Sequence, residues 1–426
     1  MLKAKLRLNA FAFMGAFLGL LNTLLAWRLY GTTSNGDVWI LAIVIIQTFS
    51  LLSQIGVEQF AVFSSNFHTL SKKGADKFDS ECITWAVWFG CGFCILLKIL
   101  LPVFIYIFAE GYGAKEKEGL SALCNAFLLQ IFWGPAMYIW RQQLMLKGKG
   151  QLSVLSNNLY PIIQASVMAI GWATGHLDQL DLAIAISVIS FLLSMCIIIS
   201  AYGFKILLLK PSLRILMPFI KASMAMRLTH SVHNFLVTAI LSNILSGGVQ
   251  GTVSSFQYTK RIADGLASVS VGPHLSIYHA NQNLAWANKD DRKFKANIWE
   301  YLFSTIPLFF VAVLCACISI YVAKTFNLIN IEITGQTFQL LLCLALWQLV
   351  IALETIPIGI LVMENSSKLL LLINSIFVIN MLLIVQLIQK PYSSIFIAII
   401  CLICQIVSIA IATFLGIKSY KGKFYK

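Results

Sequence analysis

Residues 392–417 read YSSIFIAIICLICQIVSIAIATFLGI, a run of 26 residues without one charged side chain. A helix rises about 1.5 Å per residue, so such a run can cross the roughly 30 Å apolar layer of a bilayer. Eleven further predominantly apolar segments precede it, near residues 8–28, 38–64, 82–108, 119–145, 151–174, 180–205, 215–245, 251–275, 300–324, 337–363 and 367–389. The sequence therefore predicts an all-α polytopic membrane protein with about twelve transmembrane helices.

The composition excludes a water-soluble globule, since 59% of the 426 residues are hydrophobic and only 11% are charged. Twelve spans leave little chain for a large soluble domain, which disfavours an enzyme whose active site lies outside the membrane. The net charge of +14 would suggest a nucleic-acid partner in a soluble protein. In a membrane protein, basic loops on the cytoplasmic side explain such a charge. We therefore expect no nucleic-acid partner.

The basic residues lie mainly in alternate loops. Examples are Lys72 and Lys73, Arg292 and Lys293, and the C-terminal lysines from Lys418 onward. Because basic loops stay on the cytoplasmic side, this distribution predicts that both termini are cytoplasmic. An even number of spans agrees with this prediction, because it places both termini on the same side of the membrane.

The chain shows signs of an internal duplication. Gly36 and Gly251 begin similar short motifs, and Gly56 and Gly272 follow at a nearly constant spacing, each before a basic loop. Many transporters consist of two repeated halves. The pattern predicts two six-helix bundles, residues 1–210 and 211–426.

Ionisable side chains within spans are costly in lipid and usually face a cavity. Counting about 1.5 Å per residue from each entry point places a group of polar residues near mid-bilayer in spans seven and eight. They are Arg227, His230, Asn234, Lys260, Arg261 and Asp264. The first three share one helix face. The sequence therefore predicts a cationic, water-accessible site where these spans meet.

Guanidinium groups in a site of low dielectric bind phosphate in a bidentate manner, so the predicted substrate is an anion of high charge density. An exporter of cationic drugs would need carboxylates along its cavity, and the spans hold only Glu58, Asp264 and Glu354. The sequence contains no Walker loop, HExxH motif or Ser/His/Asp grouping. We therefore expect no enzyme activity, no cofactor and no metal.

Two stretches resemble a known family. They are Trp27-Arg28-Leu29-Tyr30-Gly31, followed by Asp37, and Tyr258-Thr-Lys-Arg261-Ile, followed by Gly272-Pro273-His-Leu-Ser276. They resemble the junction of helices one and two and the eighth helix of the MviN-type lipid II flippases, in the multidrug/oligosaccharidyl-lipid/polysaccharide (MOP) superfamily.

The resemblance implies a bacterial inner-membrane flippase, with two six-helix bundles around a central cationic cavity that opens alternately to each side. By position, Arg28 and Arg261 match cavity arginines of that family, and Asp37 matches its acidic residue in helix two. Asn22 stands where lipid II flippases have another cavity arginine, and the helix-two arginine is missing near Phe49. The chain also lacks their extra C-terminal helix pair. These departures favour an O-antigen or capsular repeat-unit translocase.

The sequence thus yields a hypothesis of alternating access. Arg227, Lys260, Arg261 and Arg28, with His230 and Asn234, would hold the diphosphate of an undecaprenyl-diphosphate-linked oligosaccharide while the prenyl tail stays among membrane lipids. Asp37, Glu58 and Asp264 are candidates for gating or for coupling to H⁺ or Na⁺. Two alternatives are a MATE-like cation-coupled drug antiporter and a membrane glycan polymerase or ligase. The predicted outer loops are short for such an enzyme.

Overall fold

The structure is a computed structural model that describes residues 2–55, 57, 60, 72–147, 149–175, 178–204, 211–325, 335–364, 367–386 and 393–424. Within the helices, some side chains also lie outside the description, chiefly those of residues 2–13, 72–76 and 222–231.

The described chain is helical and contains no β-strand. Its fifteen helices are α1 (Leu2–Tyr30), α2 (Ser34–Ser53), α3 (Lys72–Phe108), α4 (Ala114–Phe127), α5 (Leu129–Leu146), α6 (Gly150–Asn157), α7 (Leu159–Thr174), α8 (Gln179–Tyr202), α9 (Leu213–Ser246), α10 (Thr252–Ser270), α11 (Gly272–Ala287), α12 (Asp291–Thr325), α13 (Gly335–Met363), α14 (Ser367–Gln386) and α15 (Ser394–Phe424).

Three pairs of these helices are separated by one residue. Leu128, Asn158 and Val271 are the separating residues, and each keeps right-handed helical dihedrals, so the chain continues in the same direction. The fifteen helices of the described chain therefore form twelve successive segments, and each corresponds to one predicted span. The all-α polytopic fold predicted from the sequence is confirmed.

Seven helical segments among the described residues are long and apolar enough to cross a membrane by themselves: Ser34–Ser53, Lys77–Phe108, Ala114–Met145, Gln179–Tyr202, Asp291–Val322, Gly335–Met363 and Ser394–Phe424. Several carry large apolar side chains on their outer faces. Ile99, Phe303 and Phe414 are each about 70% exposed, an arrangement that suits lipid because lipid tails are as apolar as the side chains themselves.

The chain forms two compact units. Unit 1 consists of residues 1–25 and 34–246, and unit 2 consists of residues 26–33 and 247–426. The last turn of α1 thus belongs to unit 2, whereas the whole of α9 belongs to unit 1. This division differs from the boundary expected at 210/211, which came from the repeat and remains a prediction.

Aromatic packing explains why α9 belongs to unit 1. The ring of Phe235 in α9 lies 6.2 Å from that of Phe49 in α2, and 5.9 and 5.6 Å from those of Phe104 and Phe108 in α3. Near its end, the amide of Asn243 donates a hydrogen bond of 2.8 Å to the backbone oxygen of Ile107. Ring pairs of this kind stabilise a helix contact beyond the area that they bury.

The helix starts agree with the proposed duplication. Helices α2 and α10 begin at residues 34 and 252, α3 and α12 at 72 and 291, and α8 and α15 at 179 and 394. The spacing between equivalent starts is thus nearly constant. The two six-segment halves remain a prediction, and the compact units do not end where those halves would.

Unit 2 packs around α10 and α13. The hydroxyl of Tyr301 in α12 donates to the backbone oxygen of Ala352 in α13 at 3.2 Å, and its ring lies 4.7 Å from that of Tyr278 in α11. Together with α15, these helices surround the polar residues of α10. Side chains of these surrounding helices are therefore the available hydrogen-bond and ion-pair partners of the polar residues of α10.

Unit 1 contains a close crossing of α3 and α5. A Cβ atom at Gly90 would lie 2.1 Å from the backbone oxygen of Phe132, whereas a Cβ atom at Gly92 would meet nothing within 4 Å. Because the obstacle at Gly90 is backbone, no side-chain rearrangement can relieve the clash. The crossing requires glycine at position 90 only.

We expect Gly90→Ala to destabilise the protein by about 1–3 kcal/mol through overpacking. Gly92→Ala in the same helix is the matched control, and it should be neutral or stabilising by up to about 1 kcal/mol because alanine favours helix. Thermal unfolding of both variants in one detergent measures the difference. Equal melting temperatures would contradict the close crossing.

Candidate functional site

The end of α1 lies against the start of α10 within unit 2. The ring of Trp27 stacks on that of Tyr258 with centroids 5.5 Å apart, and both side chains are buried. Gly251, just before α10, has a φ of +87°, and a Cβ atom there would lie 2.4 Å from the backbone oxygen of Thr32. Both the positive φ and the backbone contact require glycine. The two segments are therefore fixed together at two points.

These two contacts also set the register. Thr32 faces Gly251 and Trp27 faces Tyr258, so the end of α1 and α10 run antiparallel. In this register Arg28 lies opposite residues close to 256. Arg261 lies about five residues deeper along α10, which is roughly 7 Å at 1.5 Å per residue. Unit 2 therefore brings both predicted cavity arginines to neighbouring levels.

Arg28 has an unsatisfied donor. Its Nη1 atom is buried and has no hydrogen-bond partner among the described residues. A buried, uncompensated cationic donor is unfavourable, with a desolvation penalty of about 1–3 kcal/mol or more for a charged group. Such a group is well suited to receive an anion.

Lys260, in contrast, has a carboxylate partner. Its Nζ atom lies 2.6 Å from Oδ2 of Asp264 and 5.7 Å from the centre of the Trp347 ring. The other oxygen, Oδ1, accepts a hydrogen bond of 2.5 Å from the side chain of Gln348. Asp264 thus compensates the charge of Lys260. Arg28 and Arg261 supply the remaining positive charges of this group.

The buried carboxylate of Glu354 lies about two helix turns beyond Trp347 along α13. Glu354 is 7% exposed and accepts hydrogen bonds from Ser408, at 2.6 Å, and from Gln405. The indole of Trp347 donates to Gln405 at 3.2 Å, which connects this cluster with the ring beside Lys260. Among the described residues, both donors to Glu354 are neutral side chains. Glu354 therefore takes part in packing between helices α13 and α15 and does not snorkel toward a membrane surface.

Asp37 lies in unit 1, in the first turn of α2, where it is buried. Burial, and then the carboxylates of Asp37 and Glu116, raise the pKa of the nearby Tyr112, which follows α3. Ser34 donates to Glu116 at 3.3 Å in the same region. Asp37 thus belongs to a polar group at the N-terminal end of α2.

The other predicted site residues can be located only in part. The backbone of Arg227 and His230 lies in α9, but their side chains are outside the described set, as is the whole of Glu58. Asn234 is half-buried in α9, and its backbone oxygen accepts a hydrogen bond of 2.7 Å from Thr238. Their participation in a common site with Arg261 remains a prediction.

Unit 1 contains a polar cavity of about 320 Å³ that the sequence reasoning did not identify. Helices α2, α5, α7 and α8, with the end of α6, surround it. A detectable signal was present in α2, since Gln47, Ser50 and Gln54 follow the spacing of one helix face within an apolar span. Arg141 also lines the cavity.

Comparisons with known proteins indicate a transporter fold. No family model and no curated protein sequence matches the chain. Among solved structures, the lipid II flippase MurJ in an inward closed conformation superposes with a TM-score of 0.75 at 17% identity, covering 98% of this chain and 90% of that one.

Two other MOP-superfamily structures are also similar. An inward-facing multidrug resistance MATE transporter gives a TM-score of 0.67 at 13% identity and covers 98% and 99% of the two chains. A MOP-superfamily transporter from Pyrococcus furiosus, described as having a binding pocket of reverse polarity, gives 0.61 at 16% identity and covers 98% and 96%. At these identities the likeness establishes the fold. The chain is a multi-pass membrane protein that shares its fold with these solved structures, as the resemblance predicted.

The packing of Trp27 in α1 against Tyr258 in α10 can be tested with a double-mutant cycle of Trp27→Ala and Tyr258→Ala. Stacked rings contribute about 0.5–1.5 kcal/mol beyond their buried area, so the two losses of stability should be non-additive by that amount. Tyr258→Phe keeps the ring and should preserve most of the coupling. Additive losses in thermal unfolding would show that the rings do not interact.

Proposed function

We propose that the protein is a flippase that moves an undecaprenyl-diphosphate-linked oligosaccharide from the cytoplasmic to the periplasmic leaflet by alternating access. The observation that carries this proposal is the buried Nη1 atom of Arg28, which has no hydrogen-bond partner among the described residues. A diphosphate supplies the acceptor oxygens that this atom needs. The likeness to the lipid II flippase fold supports the same class of transport.

The register of α1 and α10 suits a diphosphate. Two guanidinium groups separated by roughly 7 Å along the helix axes can each reach one phosphate of a diphosphate, because arginine side chains are long and flexible. Arg28 and Arg261 are therefore the principal binding residues in this proposal. Arg227, His230 and Asn234 would contribute from α9.

Lys260 and Asp264 fit a coupling role. Their side chains are 25% and 41% exposed, so water and ions can reach the pair. When a diphosphate attracts Lys260, the carboxylate of Asp264 loses a cationic partner and can take up H⁺ or Na⁺. Exchange of this kind would link binding of the lipid-linked glycan to an ion without any covalent step. Asp37 and Glu58 are the other candidates for gating.

The proposed location is the bacterial inner membrane, with both termini cytoplasmic. The proposed pathway is O-antigen, lipopolysaccharide or capsule assembly, with peptidoglycan precursor transport as the alternative. Asn22, in place of the arginine of lipid II flippases, favours the first group. It is buried, and its amide donates to the backbone oxygen of Pro161 at 2.9 Å.

A MATE-like drug antiporter is the second candidate. The buried carboxylate of Glu354 favours it, because a carboxylate held only by neutral donors is suited to exchange a proton or another cation. Two comparison structures are multidrug resistance transporters of this type. A membrane polymerase or ligase has no comparable support, since the structures named in the comparison are transporters.

The proposal predicts that Arg28→Ala and Arg261→Ala each reduce surface glycan at least tenfold, because each variant loses one charge-assisted contact worth about 1.5–3 kcal/mol. Surface glycan is measured in a strain that depends on this gene, with protein levels in the membrane as the reference. Arg214→Ala is the matched control, since Arg214 is exposed.

Normal surface glycan in both variants at normal protein levels would overturn the flippase proposal. If Glu354→Gln instead abolishes resistance to cationic drugs and both arginine variants retain it, the antiporter is the correct function. Arg28→Lys and Arg261→Lys should restore part of the export, since lysine keeps the charge but not the bidentate geometry.

A further inference from the structure

The cavity of unit 1 lies among four spans and is lined by apolar residues together with many neutral polar side chains. Its volume is about 320 Å³, which is the lower end of the range for small-molecule sites. Polar side chains on its wall include Gln47, Ser50, Gln54, Gln130, Ser190 and Ser194. Apolar helices have no structural need for so many amides and hydroxyls on one inner surface.

One of these polar groups is unsatisfied. The hydroxyl of Ser190 is buried, with the residue 7% exposed, and it has no hydrogen-bond partner among the described residues. An unpartnered hydroxyl in a low-dielectric interior is unfavourable by about 1–3 kcal/mol. Gln130 lies on the same wall and donates to Ser187 at 3.2 Å, so its carbonyl oxygen remains available as an acceptor. The wall thus offers both donors and acceptors to a ligand.

Arg141 lies on the wall at the end of the cavity nearest α6. Its Nε atom donates to the backbone oxygen of Met137 at 3.1 Å, and its Nη1 atom donates to the side-chain oxygen of Asn157. Both acceptors are neutral. The lining residues that the structure describes include no carboxylate, so none of them compensates this positive charge.

Aromatic side chains complete the lining. Trp133, Tyr160 and Phe191 contribute to the wall, and the rings of Trp133 and Phe191 lie 6.0 Å apart. Flat rings beside amides and hydroxyls suit a ligand that has weakly polar C–H faces and many hydroxyl groups, which is the chemistry of a monosaccharide. A single uncompensated guanidinium suits one carboxylate on that ligand.

We propose that this cavity binds one acidic monosaccharide unit, with Arg141 on its carboxylate and the amides and serine hydroxyls on its ring hydroxyls. The inference rests on the proposed function, because the glycan carried by the flippase is the source of such a unit. It adds a second recognition site to the diphosphate site of unit 2. The cavity therefore selects the glycan, and the arginines of unit 2 bind its anchor.

The test uses the full-length purified protein in nanodiscs and three probes: glucuronate, glucose and inorganic phosphate. Titration calorimetry should show that glucuronate binds at least about tenfold more tightly than glucose, the ratio expected from one charge-assisted hydrogen bond. Phosphate can also bind the proposed diphosphate site of unit 2, so its affinity should be the same in the unaltered protein and in Arg141→Gln. Arg141→Gln should remove the preference for glucuronate and leave glucose binding within about twofold.

Two further variants keep the test decisive. Arg214→Gln removes an exposed cation and should change nothing. Ser190→Ala keeps the charge of the cavity and removes the unpartnered hydroxyl, so glucose and glucuronate should both weaken by a similar factor. This variant decides the matter even if Arg141→Gln does not fold.

Three results would overturn the inference: equal binding of glucose and glucuronate by the unaltered protein, binding of neither, or phosphate binding that Arg141→Gln weakens as much as it weakens glucuronate binding. The last result would identify a simple anion site. Failure of the proposed function is distinguishable, because Arg28→Ala would then export glycan normally while glucuronate still binds. If only the inference is wrong, export will still depend on Arg28, but the protein will not bind glucuronate more tightly than glucose.

Discussion

The backbone contact between Gly251 and Thr32 is the constraint on which the candidate site in unit 2 depends. It can exist only because residue 251 has no side chain and adopts a φ of +87°. Together with the stacking of Trp27 on Tyr258, it ties the last turn of α1 to α10. Through this attachment Arg28 lies at a level of α10 that is roughly 7 Å from that of Arg261, although the two residues are far apart in the sequence.

The polar side chains of the two units differ in their surroundings. In unit 2, Lys260, Asp264 and Gln348 form a connected group, and Glu354 is satisfied by Gln405 and Ser408. In unit 1, the polar side chains of α2, α5 and α8 surround a cavity instead. Polar groups within a membrane must find partners in the protein, in water or in a ligand. Satisfied groups therefore explain helix packing, and the unsatisfied atoms of Arg28 and Ser190 are the observations from which we propose the two ligand sites.

Sequence reasoning identified some site residues and missed others for physical reasons. Depth along a span can be counted from its ends, so the levels of Lys260 and Arg261 could be predicted. The direction of a side chain around the helix could not, since a span that faces lipid on one side and protein on the other has a weak polar pattern. For this reason the position of Arg141 on the wall of the unit 1 cavity is seen only in the structure.

The sequence by itself determined that the chain is all-α, crosses a membrane and has twelve successive helical segments, because lipid requires every backbone hydrogen bond to be made within a helix and fixes the length of an apolar span. Only the tertiary structure decided which segments form each compact unit, since α9 joins unit 1 through the rings around Phe235. It also decided which polar groups meet in one cavity. Contacts between distant segments depend on close approaches such as that of Gly90 to Phe132, which no local pattern in the sequence encodes.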